Sequence, residues 1–276
     1  MQNYDIFAWE EKIYNMASTQ EMSITFLGTG TSQGVPVIAC QCEVCRSNDP
    51  HDKRLRSSIL IETGGMRIVV DCGPDFRQQM LREDIRSIDA ILVTHAHKDH
   101  LGGLDDVRAF NYILRRPASV YATREVQREI RREYAYAFGG HRYPGVPEIH
   151  LHTYGKRPFF IKLLKVIPIK AIHYGEDQYV YGFRIKDFTY LTDVFRITPE
   201  EKEKIRGSKV IVVNALRKKP HYSHMNLDEA VALVRELKPD RAYITHISHQ
   251  MGLQSEVEKE LPENIKFAYD GLRVVI

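Results

Sequence analysis

Hydrophobic and polar positions change period several times along the chain, and each change predicts an element. Residues 22–28 (Met-Ser-Ile-Thr-Phe-Leu-Gly) alternate before the loop Gly28-Thr29-Gly30-Thr31-Ser32, which reads as a strand feeding a tight turn. That loop has two readings: a backbone cradle for a phosphate, or a turn that lets the chain pass close to a functional centre. Ser58–Glu62 and Met66–Asp71 flank Gly64-Gly65, a hairpin signal. Pro74–Glu83 starts on proline and carries Phe76, Met80 and Leu81 in a helix-like pattern. The apolar segment Ile88–Val93 predicts a buried strand, and Leu104–Ile113 a helix beyond two glycines. Ser119–Ala122 predicts a strand and Thr123–Phe138 a helix. This first half is an α/β alternation.

The second half repeats the theme. Lys165–Ile169, Val180–Ile185, Phe188–Leu191, Val210–Val213 and Arg241–Thr245 are strand-like. Pro199–Ile205 predicts a short helix, and Leu227–Leu237 a longer one with Leu227, Ala230, Val231, Val234 and Leu237 on one stripe. Asn226 with Glu229 three residues on has the spacing of a capping box. A helix from Leu253 and a strand near Leu272 close the chain. Residues 139–158 show no period and predict a long loop, of the kind that forms lids and shapes pockets. No composition break follows residue 22. One domain over 22–276, built from two similar halves, is therefore expected, with residues 1–21 as a loosely attached extension before Met22.

Composition changes this picture little. With 276 residues, 43% hydrophobic and 27% charged, the chain has the make-up of a globular enzyme. Its net charge of +3 permits acidic substrates without demanding nucleic acid. The arginines at 124, 128, 131 and 132 form a basic helix face, ordinarily a solvated one, so nucleic acid is not favoured as a partner. No apolar run reaches the ~18 residues of a membrane span. The first twenty residues carry Asp5, Glu10 and Glu11, unlike a signal peptide, so a reducing cytoplasm is the expected location. There, Cys40, Cys42 and Cys45 are better read as metal ligands than as disulfides, and Cys72 as a buried small side chain.

The densest chemistry lies in Thr94-His95-Ala96-His97-Lys98-Asp99-His100-Leu101-Gly102-Gly103. An H-x-H-x-D-H run arises by chance in about one chain of this length per ten thousand. His95 and His97 point the same way if Ala96 is extended, while Asp99 and His100 turn toward a second point. Two metal ions suit that spacing better than one. A two-metal site needs further donors at strand ends, and His173, Asp193 and His246 occupy such places. Asp71 is placed either to orient a ligand imidazole or to cap its strand.

With His95-x-His97-x-Asp99-His100, His173, Asp193 and His246 in this order, the chain resembles the metallo-β-lactamase superfamily of dinuclear hydrolases. The resemblance implies an αββα sandwich of four layers with the metals at one edge. It implies that His95, His97 and His173 hold one ion, that Asp99, His100 and His246 hold the other, and that Asp193 bridges. Within that superfamily, Gly28-Thr29-Gly30-Thr31-Ser32-Gln33-Gly34-Val35-Pro36, the cysteines at 40, 42 and 45, and Thr245-His246-Ile247-Ser248-His249-Gln250 resemble the PhnP-type cyclic ribosyl phosphate phosphodiesterases. This closer likeness implies a structural zinc on Cys40, Cys42, Cys45 and His249. It also implies a substrate-contacting histidine at His224, with His221 as a rival, and a homodimer.

The expected activity is hydrolysis of a small phosphodiester, cyclic or linear, by a hydroxide shared between two divalent ions of zinc, manganese or iron. Protonated His224 would hold the phosphate or serve the leaving group, and Asp99 is counted with it among the catalytic residues. The alternatives are a tRNA 3′-end endonuclease, a PqqB-like cofactor-biosynthesis protein, and a metal-dependent binding protein without turnover. The first of these usually carries an RNA-gripping arm, and no long basic Gly/Pro-rich insertion is evident here.

Overall fold

The computed structural model describes residues 21–139 and 144–276, so the expected N-terminal extension lies, but for Glu21, outside the described residues. Strands are numbered along the chain. One sheet contains β1 (Met22–Gly28), β2 (Ser58–Thr63), β3 (Met66–Val70), β4 (Ala90–Leu92), β5 (Ala118–Ala122), β6 (Ile149–Thr153) and β14 (Arg273–Val275), in the order β14-β1-β2-β3-β4-β5-β6. The other contains β7 (Phe159–Ile161), β8 (Leu164–Tyr174), β9 (Gln178–Ile185), β10 (Phe188–Tyr190), β11 (Val210–Asn214), β12 (Arg241–Thr245) and β13 (Ile265–Phe267), in the order β13-β12-β11-β10-β9-β8-β7. Both sheets are mixed, with hairpins such as β2–β3 and β8–β9 beside parallel pairs such as β3–β4 and β11–β12.

The period-2 geometry of a strand sorts its side chains between two cores. Ile59, Ile61, Ile68, Val70 and Leu92 pack between the sheets against Phe183, Phe188, Tyr190 and Val212. The intervening Leu60, Val69, Ile91 and Val93 face the opposite way, onto the helical layer that carries Phe76, Leu101, Phe110 and Ile130. On the far side Ile211, Val213 and Ile244 pack against Leu227, Ala230 and Val234 of the helix Leu227–Leu237. Strands covered on both faces read as continuous apolar runs, which is why Val210–Val213 and Ile88–Val93 are so plain in the sequence. The four layers are helix, sheet, sheet, helix.

Helix boundaries follow local chemistry. The capping box of Asn226 and Glu229 is formed, each residue accepting the other's backbone N–H, at 2.9 and 2.8 Å. Thr123–Phe138 divides at Tyr134 into the helices Arg124–Glu133 and Ala135–Phe138. Leu104–Ile113 begins as a 3₁₀ turn, Leu104–Val107, before the helix Arg108–Leu114. The helix expected from Leu253 is a single turn, Gln254–Val257. Among the described residues no helix is long and apolar enough to cross a membrane.

The long loop expected over 139–158 requires correction. It contains β6, which pairs in parallel with β5 from Ala118↔Ile149 to Ala122↔Thr153. Its sequence, Ile-His-Leu-His-Thr, is half exposed on a sheet edge and so lacks the apolar run of a buried strand. The glycine loop resolves its two readings. The Gly30 amide donates to Leu55 O (2.7 Å) and the Thr31 amide to Ile247 O (3.1 Å), so these donors hold the chain together and do not cradle an anion. A Cβ on Gly28 would lie 2.0 Å from Arg56 O, which is why glycine starts this close passage.

Candidate metal centre

Strand ends place the donors. Asp71 follows β3, Asp193 follows β10 and His246 follows β12, and all three have left-handed backbones, with φ of 65°, 59° and 56°. Non-glycine residues enter that region at a cost, and such residues gather at functional sites where the surrounding fold holds them. The histidine turn is riveted to the segment after β3: the Cys72 amide donates to His100 O and the Gly103 amide to Cys72 O, both at 2.9 Å. A Cβ on Gly73 would meet Asp99 O at 1.9 Å, so this packing needs a glycine. His173 lies inside β8 and not beyond a strand that stops at Ile169, because pairing with β9 extends the strand.

The seven donors expected from sequence converge. Ligand atoms of His95, His97 and His173 lie within 4.8 Å of one another, as do those of Asp99, His100, Asp193 and His246. Each ring is oriented from behind. His100 Nδ1 donates to Asp71 Oδ2 at 2.6 Å and His173 Nδ1 to Asp193 O at 2.7 Å, while His95 Nδ1 is 3.0 Å from Thr94 Oγ1. Thr94 in turn donates its amide and hydroxyl to Asp71, at 2.8 and 2.9 Å. The opposite nitrogen of His95, Nε2, is buried with no hydrogen-bond partner, while that of His100 lies 3.1 Å from Asp193 Oδ2 and 3.2 Å from Asp99 Oδ2. An orphaned acceptor such as His95 Nε2 is costly unless a cation completes it. His246 sits between Ser57 Oγ at Nδ1 and Thr31 Oγ1 at Nε2, both 3.2 Å away, two contacts not anticipated from sequence. Buried hydroxyls beside a strand-end histidine were the available signal.

Electrostatics agree with a cation site. Burial, reinforced by neighbouring His100, holds His95 far below the usual imidazole range; His97 and His246 are lowered for the same leading reason. These rings are therefore neutral and free to ligate. Burial works against ionisation of Asp99 and Asp193, yet the surrounding imidazoles hold both below the usual carboxylate range. His100 is the exception: despite burial, Asp193, Asp99 and Asp71 raise it well above its usual value. Two ionised carboxylates, a third behind His100 and several neutral imidazoles form a donor set that fits divalent metal ions.

A second cluster gathers Cys40, Cys42, Cys45 and His249, again within 4.8 Å. The sulfurs of Cys40 and Cys42 are each 3.3 Å from His249 Nδ1, and the Val37 amide donates to Cys45 Sγ. Burial pushes Cys42 up, but the Cys45 amide and His249 outweigh it, bringing its thiol down to about 6. Only Val35, Val44 and Cys45 are buried in the small apolar cluster beneath this loop.

The larger site opens into a cavity of about 460 Å³ lined by Thr31, His97, His173, His224 and His246 among others. Of the described residues 139 and 144–158 none lines it, and the rest of the segment expected to shape the pocket lies outside the described residues. His224 does line it, with Nδ1 3.8 Å from Asp193 Oδ1 and its ring 5.0 Å from both the His173 and the His246 rings. Burial lowers its pKa to about 3, which makes the ring neutral where no anion is bound. The rival His221 lies further out, 5.3 Å from His224 between ring centroids.

Comparison with known proteins adds to this geometry. Residues 66–247 match the beta-lactamase superfamily domain. A crystal structure described as a new diphosphatase from the PhnP family superposes with a TM-score of 0.86 at 38% identity, covering 93% of this chain and 97% of that one. A protein of Porphyromonas gingivalis named octanoyltransferase is 40% identical over 258 residues, or 92% of this chain. A ribonuclease Z of Bradyrhizobium diazoefficiens is 36% identical over 84 residues, 30% of this chain. The chain spans about half the length, or less, of these curated relatives: 52% of the first and 23% of the second.

Proposed function

The chain belongs to the beta-lactamase superfamily as a hydrolase of the metallo-β-lactamase fold, and from that premise we propose a dinuclear phosphodiesterase acting on a small, cyclic or linear, phosphodiester. His95, His97 and His173 would hold one ion, Asp99, His100 and His246 the other, and Asp193 would serve both. When bound, such ions supply an ionised water and neutralise charge on the phosphate oxygens. The protein's own residues do the rest. Asp71 and the Asp193 carbonyl fix the ligand rings, Thr31 and Ser57 hold His246, and His224 presents an N–H to a phosphate oxygen or the leaving group. Zinc, manganese and iron all suit these donors. Residues 22–276 form the catalytic domain, in the cytoplasm, and the small phosphodiester is the partner; a homodimer goes with the family likeness.

The observation that carries this reading is the buried, partnerless Nε2 of His95 beside a second cluster in which His100 Nε2 faces the carboxylates of Asp99 and Asp193. A screen of the metal-loaded protein against cyclic and linear phosphodiesters tests it. Turnover with one oxygen from ¹⁸O-labelled water in the phosphate product is expected. No turnover with zinc, manganese or iron contradicts it and favours a binding protein. The 38% identical diphosphatase supports a second reading, attack at phosphorus in a diphosphate, so small diphosphates belong in the same screen. Sequence likeness to the ribonuclease Z of Bradyrhizobium diazoefficiens extends over 84 residues, 30% of this chain. Cleavage of a tRNA precursor in preference to small diesters would reverse the order.

Two further outcomes follow from the supporting residues. Asp71→Asn removes the negative charge behind His100, leaving a neutral amide in place of the carboxylate, and is expected to weaken metal affinity about 10- to 100-fold. Titration against a competing chelator reads this, and unchanged affinity contradicts the positioning role. For the cysteine cluster we propose a structural zinc closed by His249. Cys45→Ser is expected to cost one metal equivalent per chain and more than about 5 °C in Tm, since the loop has little core of its own. Unchanged metal content and Tm contradict it.

A further inference from the structure

We propose that Tyr174 and Tyr222 form a stacking subsite for a planar ring at the outer end of the cavity, so that the substrate is a nucleoside bearing the reacting phosphate. The proposal rests on the phosphate-ester reading above and adds the chemistry of the rest of the substrate.

Near-parallel rings lead outward from the metal centre. His246 and His224 stack at 5.0 Å and 28°, His224 and His221 at 5.3 Å and 29°, and His221 and Tyr222 at 4.3 Å and 29°. Tyr222 ends this row 70% exposed, and Tyr174, 47% exposed, stands against it at 5.6 Å and 77°. Both line the cavity. Two large rings held at right angles, one presenting a face where the other presents an edge, are a poor arrangement for water and a good one for a flat aromatic guest.

Both rings are held before any ligand arrives. A register shift between Ile172 and Tyr174 interrupts the alternation of β8, letting the neighbours His173 and Tyr174 both reach the cavity. Tyr222 sits on a loop tied down by Arg217, which donates to Lys219 O (3.2 Å), Pro220 O (2.8 Å) and Gln250 Oε1 (2.8 Å). These three contacts make the rim's arginine a brace for the loop that carries Tyr222. Between the metal ligands and Tyr222 lie His224 and His221, a separation that accommodates a pentose between phosphate and base. A cavity of about 460 Å³ exceeds what a phosphate and a pentose fill. Every base has a π-face, so this subsite selects a nucleoside without selecting which one.

Calorimetric titration of the metal-loaded full chain with adenosine 5′-monophosphate and with ribose 5-phosphate tests the subsite. The nucleotide is expected to bind roughly 10- to 100-fold more tightly. In the doubly substituted Tyr174→Ala, Tyr222→Ala protein the nucleotide's affinity falls to that of the ribose phosphate, whereas Tyr222→Phe keeps the preference because it keeps the ring. Equal affinity for the two ligands in the native chain, or equal losses for both in the double variant, overturns the subsite alone. Failure of both phosphates to bind overturns the phosphate-ester reading, and the subsite with it.

Discussion

Asp193→Asn is expected to abolish turnover, by at least about 10⁴-fold, while the protein stays folded and its metal content falls from about three equivalents per chain to about one. Asp193 does three things at once. Its Oδ2 lies 3.1 Å from His100 Nε2 and 3.2 Å from His246 Nδ1, and its carbonyl accepts from His173 Nδ1. Asparagine is the better replacement because the residue has a φ of 59°, a region asparagine tolerates more readily than alanine. The carbonyl contact to His173 is thereby kept, and the variant removes mainly the charge. Asp193→Ala adds backbone strain to the same loss. Elemental analysis checks the prediction, and full metal occupancy in either variant contradicts a shared ligand.

His224→Ala is expected to keep its metals and lose about 10²- to 10⁴-fold in turnover. The ring lines the cavity between His173 and His246 with its buried Nδ1 turned toward Asp193 Oδ1 (3.8 Å), which leaves the opposite ring nitrogen to meet a substrate oxygen. Burial holds it neutral, and a proton donor role depends on the negative charge of an arriving phosphate. The size of the loss should therefore follow the leaving group. A diester with an alkoxide leaving group suffers most, and one releasing p-nitrophenolate, which needs little protonation, suffers least. Equal losses on both substrates assign His224 to phosphate binding alone. Unchanged turnover on the alkyl diester removes it from the mechanism.

The parts of this molecule that were legible in its sequence are those with a local cause. The histidine turn is contiguous, its strand is covered on both faces, and Asn226 and Glu229 are three residues apart. His173, Asp193 and His246 were also readable as donors from their strand-end positions, though His173 in fact lies within β8. What sequence pattern missed depends on long-range pairing. β6 is a half-exposed edge strand, and β7 and β13 have three residues each, too few for any period to emerge. The return of β14 to pair with β1, across the whole length of the chain, has no local signature. The left-handed backbones of Asp71, Asp193 and His246 are likewise set by the sheets that meet them and not by their neighbours in sequence. The exposed ring at Tyr222 looks like any loop tyrosine until its partners are known.

Anomalous diffraction from crystals of the metal-loaded protein, collected at the absorption edge of the bound metal, tests the central claim most directly. Two peaks are predicted beside the histidine turn, apart from any at the cysteine cluster: one within reach of His95, His97 and His173 and one within reach of Asp99, His100 and His246, with Asp193 between them. A single peak confined to Cys40, Cys42, Cys45 and His249, or none beside the histidine turn, would contradict it.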